Sequence, residues 1–128
     1  YFYDTGLVCY LTKWSNAETL EAGAMNGAIL ENYVVSEIAK TYLNSGKEPF
    51  MYYYRDKDAK EIDIVLEHDG ILNPLEIKKT ANPGSELTKV FSLLDKASTP
   101  RGKGAILCMK PALGAIDKEN YIIPIWVI

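Results

Sequence analysis

The stretch EIDIVLEHDGILNPLEIKK, residues 61–79, predicts the centre of the fold. Apolar and charged residues alternate through Glu61–Glu67, and a second strand-like run extends over Ile71–Lys79. Between them lies Asp69-Gly70, a dipeptide typical of tight hairpin turns. The stretch therefore predicts two antiparallel strands joined by a short turn.

The charged residues of this hairpin are predicted to lie together. Glu76 and Lys78 share one side of their strand because side chains two residues apart point the same way. If the strands pair through the turn, Asp63 comes close to Glu76. The preceding strand is predicted to divide into two faces, with Ile62, Ile64 and Leu66 on one and Glu61, Asp63 and Val65 on the other.

Further elements surround the hairpin. An apolar stripe predicts a long helix over about Ala24–Leu43 that ends with a left-handed cap at Gly46. A strand is predicted over Phe50–Arg55 and another over Gly104–Met109, the latter buried on both faces. Ser85 is predicted to cap a helix whose apolar face is formed by Leu87, Val90, Phe91 and Leu94. The order predicts an α/β sandwich with a mixed central sheet flanked by helices.

The two ends of the chain carry weaker patterns. Aromatic and β-branched residues over Tyr1–Leu11 predict a strand and a turn. Ser15 followed by Glu18 predicts a capping box and a short helix. Tyr121–Ile128 is expected to form a strand, at a sheet edge because Pro124 lacks an N–H.

Composition indicates one globular domain spanning residues 1–128. The chain is 48% hydrophobic and 24% charged, and it has no apolar run near the ~20 residues of a membrane-spanning helix. Its N-terminus lacks both an initiator Met and a signal peptide. We therefore expect a cytoplasmic fragment of a larger protein. The net charge of −3 and pI of about 5.2 argue against tight autonomous binding of nucleic acid.

The two cysteines, Cys9 and Cys108, lie in apolar surroundings and are interpreted as buried free thiols, with a disulfide as the alternative. Neither belongs to a CxxC pair, and His68, expected at the surface, is the single histidine. A zinc site is therefore not expected.

Glu31 adds a third acid, because it falls on the apolar stripe of the long helix. At ~5 Å and an effective dielectric constant of about 20, each pair of carboxylates costs on the order of 3 kcal/mol. Lys78 alone cannot offset that repulsion, whereas Mg²⁺ with oxygen ligands can. Phosphodiester hydrolysis uses the same groups: the metal activates a water, and the ammonium orients it or stabilises developing charge.

Simpler interpretations remain open at this point. Glu76-Ile77-Lys78 is also typical of a solvated charge pair on a strand, and Glu61-Ile62-Asp63 is equally ordinary. Glu31 could form a salt bridge with Arg55 or with a lysine. It is the order of these groups along the predicted elements that favours a common site.

As a set, these residues resemble the PD-(D/E)XK nuclease superfamily. More narrowly, the chain resembles the C-terminal domain of unknown function DUF4143 that is appended to AAA-type ATPases of bacteria and archaea. The resemblance extends from Tyr1 to about Lys110. The segments that carry it are Tyr3–Leu7, Gly27–Glu37, Tyr54–Asp56, Glu61–Leu66 and Leu75–Lys79.

The resemblance implies a restriction-endonuclease-like αβββαβ core with a four-stranded mixed sheet. It also implies roles for residues: Asp63, Glu76 and the carbonyl of Ile77 as ligands of Mg²⁺ or Mn²⁺, Glu31 as a direct or water-mediated ligand, and Lys78 as the catalytic lysine. Arg55 and Glu61 are implied in supporting positions. Ile62 departs from the motif, whose name has Pro at this position.

Two functions follow as expectations. The first is a metal-dependent nuclease domain, with DNA favoured over RNA as substrate. The alternative is a catalytically silent interaction or regulatory module that serves an ATPase module in the same parent chain. A purely structural oligomerisation domain is a third class. The chain contains no GxxxxGK[ST] loop, so it is not expected to bind ATP by that route.

Overall fold

Helices and strands occupy separate parts of the chain in the computed structural model, which describes all 128 residues. Residues 1–47, together with Ile128, form a helical unit, and residues 48–127 form a strand unit. None of the helices combines the length and apolar character needed to cross a membrane.

The helical unit contains α1 (Thr5–Leu11), α2 (Ala17–Ala22) and α3 (Asn26–Asn44). Both short helices contact α3. The predicted long helix is confirmed, with boundaries shifted by one or two residues, and Gly46 follows it with φ of 72°, in the left-handed conformation predicted for it. The buried residues of α3 are Ile29, Asn32, Val34, Val35, Ser36, Ile38 and Ala39.

The start of the chain differs from the prediction. Tyr1–Leu11 does not form a strand, because Asp4 starts a helix by accepting a hydrogen bond from the backbone N–H of Leu7 at 2.9 Å. A capping side chain satisfies an N–H that has no partner within the helix, and this outweighs the β-propensity of the neighbouring aromatic residues.

The cap of α2 was also misplaced by one residue. Asn16, rather than Ser15, occupies the capping position, and its side-chain oxygen accepts a hydrogen bond from the Thr19 N–H at 2.8 Å. Asparagine is as effective a cap as serine, so the pattern beginning at Ser15 did not discriminate between neighbouring positions.

The strand unit is built on one six-stranded mixed sheet with the order β1-β2-β3-β4-β6-β5. Neighbouring strands are antiparallel except that β4 runs parallel to both β3 and β6. The strands are β1 (Met51–Arg55), β2 (Glu61–His68), β3 (Ile71–Lys78), β4 (Gly104–Cys108), β5 (Gly114–Ala115) and β6 (Asn120–Pro124).

The central strands agree with the prediction. Asp69 and Gly70 have φ of 51° and 72°, the positive values required at both central residues of a tight hairpin turn between β2 and β3. Every residue of β4 is buried, as expected for a strand with neighbours on both sides. The mixed α/β class is therefore confirmed, with six strands rather than the implied four.

A long 3₁₀ helix, Ser85–Lys96, covers one face of the sheet. Its predicted apolar stripe is confirmed: Phe91 and Leu94 pack with Ile62 and Val65, whereas Leu87 packs at a second cluster on β4 and β6. The predicted cap by Ser85 is wrong. Gly84 occupies the capping position, and because glycine has no side chain, the helix begins without a side-chain cap.

The last strand does not lie at the edge of the sheet. β6 pairs with β4 on one side and with the two-residue strand β5 on the other. Pro124 is tolerated because it is the final residue of β6 and lies beyond Ile122, where the pairing with β5 ends. The chain then continues into a short 3₁₀ helix, Ile125–Val127, instead of the predicted strand.

Candidate functional site

A β-bulge in β2 sets the position of Asp63. Between two matched positions, Tyr52↔Val65 and Tyr54↔Ile62, β1 advances by two residues while β2 advances by three. The additional residue allows Ile62 and Val65 to pack in the same core cluster, although strict alternation predicted them on opposite faces. The predicted division of β2 into two faces is therefore wrong at the bulge.

Asp63 is connected to β3 through its side chain. Its Oδ2 atom accepts a hydrogen bond from the backbone N–H of Ile77 at 2.7 Å. The regular ladder between the strands ends at Ile64↔Leu75, and continuing its register by one residue brings Asp63 opposite Glu76. The predicted proximity of the Asp63 side chain to the Glu76–Lys78 segment is thus confirmed.

Glu76 and Lys78 form an ion pair on β3, with Lys78 Nζ 2.7 Å from Glu76 Oε1. This contact confirms that the two side chains project to the same side of the strand. The glutamate side chain is 9% exposed, whereas that of the lysine is 42% exposed. We call Asp63, Glu76 and Lys78 the acid–lysine centre.

The surrounding strands explain why Glu76 is buried. β3 lies between β2 and β4, and Glu76 is paired with Ile106, which belongs to the apolar cluster beneath the long 3₁₀ helix. Lys78 is the last residue of β3, at the carboxyl end of the parallel pair, where its ammonium reaches solvent. Ligands in sheets with parallel strands commonly bind at this end.

Glu31 lies in the helical unit. It is half-buried on α3 and accepts a hydrogen bond from the hydroxyl of Tyr1. The next residue, Asn32, is buried and bonds both backbone groups of Phe2: its side-chain oxygen accepts from the N–H at 2.7 Å, and its amide donates to the carbonyl at 3.0 Å. Membership of Glu31 in the centre stays a prediction.

Arg55 and Glu61 pair with each other across β1 and β2. The distance from Arg55 Nη1 to Glu61 Oε1 is 3.0 Å, and both side chains are more than half exposed. An exposed pair of this kind contributes about 0–1 kcal/mol to stability. Their supporting role at the centre stays a prediction.

The two cysteines are free thiols, Cys9 half-buried and Cys108 buried. The imidazole of His68 lies at the surface, as expected, 3.0 Å from the carboxylate of Asp69.

A concave feature that the sequence analysis did not predict lies beside β1. This cleft, which we call the tyrosine cleft, has a volume of about 380 Å³. Its lining includes the three consecutive tyrosines Tyr52, Tyr53 and Tyr54, together with Glu67 and Lys96. The three consecutive tyrosines on β1, an edge strand of the sheet, are the sequence feature that could have indicated this cleft.

The atoms of the acid–lysine centre that could bind a metal ion are all oxygen atoms. Asp63 and Glu76 supply carboxylates, and the carbonyl of Ile77 is the further ligand that the resemblance implies. Within the strand unit, no group of three or more His, Cys, Asp and Glu side chains is placed to hold a metal ion. Oxygen donors without nitrogen or sulfur fit a hard cation such as Mg²⁺ or Mn²⁺.

Comparison with known proteins gives one match. The model of the family described as domain of unknown function (DUF4143) matches residues 26–128, which include all of α3 and the whole strand unit up to Val127. No curated protein and no solved structure matches the chain. On the extent of this match, the chain belongs to the DUF4143 family.

Proposed function

We propose that the strand unit is a metal-dependent nuclease domain that hydrolyses phosphodiester bonds, with DNA favoured over RNA. The observation that carries this proposal is the position of Asp63, which reaches the segment of β3 that holds the Glu76–Lys78 ion pair. The β-bulge that permits this position is a structural feature that often occurs next to active sites.

We assign a separate role to each residue of the acid–lysine centre. Asp63 and Glu76 would hold a divalent cation, with the Ile77 carbonyl as a further ligand. Bound Mg²⁺ or Mn²⁺ supplies Lewis acidity toward a phosphoryl oxygen and lowers the pKa of a bound water. Glu76 holds the Lys78 ammonium in place, and Lys78 stabilises negative charge that develops on the phosphoryl group.

A second function is favoured by a different observation. With a net charge of −3, the chain has little overall attraction for a polyanion. This favours a catalytically silent nuclease-like module that contacts a partner, and we infer that the partner is an AAA-type ATPase module of the same parent chain. The two functions differ in one testable respect, because only the nuclease requires Asp63 and Lys78 for bond cleavage.

The test is cleavage of labelled single- and double-stranded DNA and RNA with Mg²⁺, with Mn²⁺ and with chelator. We expect cleavage by the unmodified chain that needs metal and falls at least a hundred-fold in Asp63→Asn and Lys78→Ala, the range typical for loss of an electrostatic catalytic group. Each variant is first checked as folded by circular dichroism and urea unfolding.

Matched controls are available in the exposed turn between β1 and β2. Lys57→Ala and Asp58→Asn remove the same charges from exposed positions of the strand unit. They should leave cleavage unchanged. Cleavage that is equal in all five proteins would identify a contaminating nuclease and exclude the proposed activity for this chain.

A further inference from the structure

The tyrosine cleft combines aromatic rings with hydrogen-bond donors and acceptors. Tyr52 is paired with Val65, which also lines the cleft, and it is 53% exposed, so its ring is accessible to a ligand on this face. Glu67 supplies hydrogen-bond acceptors, and Lys96, at the end of the long 3₁₀ helix, supplies donors and a positive charge. A nucleobase presents the complementary features: two π-faces and an edge of donors and acceptors.

The size of the cleft favours a single unstacked base over a duplex. Its volume of about 380 Å³ lies at the lower end of the range for small-ligand sites. A base enters such a space only after leaving its stack, which costs least in a single strand.

The cleft and the Glu76 side chain lie on the same face of the sheet. Leu72 lines the cleft, and Leu72, Pro74 and Glu76 alternate along β3, so all three point the same way. Leu72 and Glu76 are four residue steps apart along the strand, which corresponds to about 13 Å. On β2, Val65 of the cleft is paired with Pro74, so Val65 lies on this face as well.

We propose that the tyrosine cleft binds an unstacked base of single-stranded nucleic acid and so leads the strand toward the acid–lysine centre. This inference rests on the proposed nuclease function. It also explains how a chain of net charge −3 holds a polyanion, because stacking on aromatic side chains does not depend on neutralising phosphates. The affinity for single strands should therefore fall only weakly with salt.

The test is fluorescence anisotropy with labelled twelve-residue oligothymidylate and oligouridylate in chelator, so that no cleavage occurs. Tyr52→Ala should weaken binding of the single strand roughly ten-fold or more, the effect of losing one stacked base. Tyr52→Phe keeps the ring and should bind as the unmodified chain does. Tyr10→Ala, which removes a 78% exposed tyrosine of the helical unit, is the matched control and should also bind normally.

Each outcome decides the inference separately from the nuclease proposal. Loss of binding in Tyr52→Ala alone supports the cleft, even if none of the proteins cleaves. Equal binding by all four proteins, or no binding of either oligonucleotide by the unmodified chain, overturns the cleft and leaves any Asp63-dependent cleavage intact. Stronger binding of a labelled twelve-base-pair DNA duplex, measured in the same assay, than of either single strand would also overturn it. Preference between the two oligonucleotides assigns the strand as DNA or RNA.

Discussion

The carboxylate of Asp63 accepts a hydrogen bond from the backbone N–H of Ile77 at 2.7 Å. This bond crosses from β2 to β3 one step beyond Ile64↔Leu75, where the regular pairing of the two strands ends. A side chain thus satisfies a backbone donor on a central strand, while the same carboxylate is brought to the Glu76–Lys78 pair. The relationship gives Asp63 a structural role beside the functional role that we propose for it.

Asp63→Ala should therefore destabilise the fold. Loss of a hydrogen bond from a backbone N–H to a charged acceptor costs about 1.5–3 kcal/mol of unfolding free energy. Asp63→Asn keeps an acceptor oxygen and should lose less. Urea unfolding followed by circular dichroism measures both values, with Asp58→Ala in the exposed turn as the control. Equal stability of Asp63→Ala and the unmodified chain would show that the bond to Ile77 is not formed in solution.

The two ion pairs of the sheet should differ in strength. Lys78→Met removes the partner of a carboxylate that is 9% exposed, and we expect a loss of about 1–2 kcal/mol, discounted from the value of a fully buried pair because Lys78 is half exposed. Arg55→Met removes an exposed pair with Glu61 and should cost less than about 1 kcal/mol.

The same urea titrations measure the unfolding free energies of the two variants, and repeating them at high salt separates the two ion pairs more clearly. Salt screens the exposed Arg55–Glu61 pair more than the buried one. The stability gap between Lys78→Met and the unmodified chain should therefore persist at high salt. If Arg55→Met proves the more costly substitution, the burial assigned to Glu76 is wrong.

The hairpin of β2 and β3 was predictable because its signals are local. Alternating residues define each strand, and Asp69-Gly70 fits only a turn with positive φ at both positions. The same-face placement of Glu76 and Lys78 follows from strand geometry alone. The bulge at Asp63 was not predictable, because it depends on how β1 pairs with β2, and no residue of the sequence marks the extra position.

Errors at the ends of the chain have a related cause. The β-propensity of Tyr1–Leu11 is a weak preference that a single cap at Asp4 overrides. The edge position predicted from Pro124 is wrong for β6, although the proline itself lies beyond the residues that pair with β5. Because β5 has only two residues, it pairs with β6 without reaching Pro124, and β6 is nevertheless not an edge strand. A strand of two residues is also too short to be predicted from its sequence pattern.

Close packing at the start of β4 gives a third prediction. A Cβ atom added at Gly104 would lie 2.6 Å from the ring of Phe91 and 2.7 Å from Oδ1 of Asn120, both in buried surroundings. Gly104→Ala should lower the unfolding free energy by about 1–3 kcal/mol through overpacking. Gly27→Ala is the matched substitution, since a Cβ at Gly27 meets nothing within 4 Å.

Gly27 lies in the first turn of α3, so alanine there should be neutral or stabilising by up to about 1 kcal/mol. Thermal unfolding of both variants makes the comparison. A Gly104→Ala variant as stable as Gly27→Ala would mean that Phe91 does not pack on β4 as described.

The turn before β6 should contribute a stability that depends on pH. Hydrogen bonds from the Asn120 side chain, and next from the Glu119 backbone N–H, lower the pKa of the Asp117 carboxyl below its ordinary value. A carboxyl with a depressed pKa stabilises the fold above its unfolded-state pKa, and this contribution is lost as the pH falls through the folded-state pKa.

Asp117→Asn should therefore be less stable than the unmodified chain at neutral pH. The difference should shrink as the pH falls below the ordinary carboxyl range, about pH 4, and vanish once Asp117 is protonated. Urea midpoints measured across this range provide the test. A difference that stays constant with pH would assign the effect to geometry rather than to the charge.

Binding of Mn²⁺ or Mg²⁺ by isothermal titration calorimetry tests the central claim most directly, because it needs neither the correct substrate nor turnover. The unmodified chain should bind one ion per chain at the acid–lysine centre, Asp63→Asn should bind at least ten-fold more weakly, and Asp58→Asn should bind as the unmodified chain does. Affinity that is equal in all three proteins, or no heat of binding in any of them, would contradict a metal site built on Asp63 and Glu76.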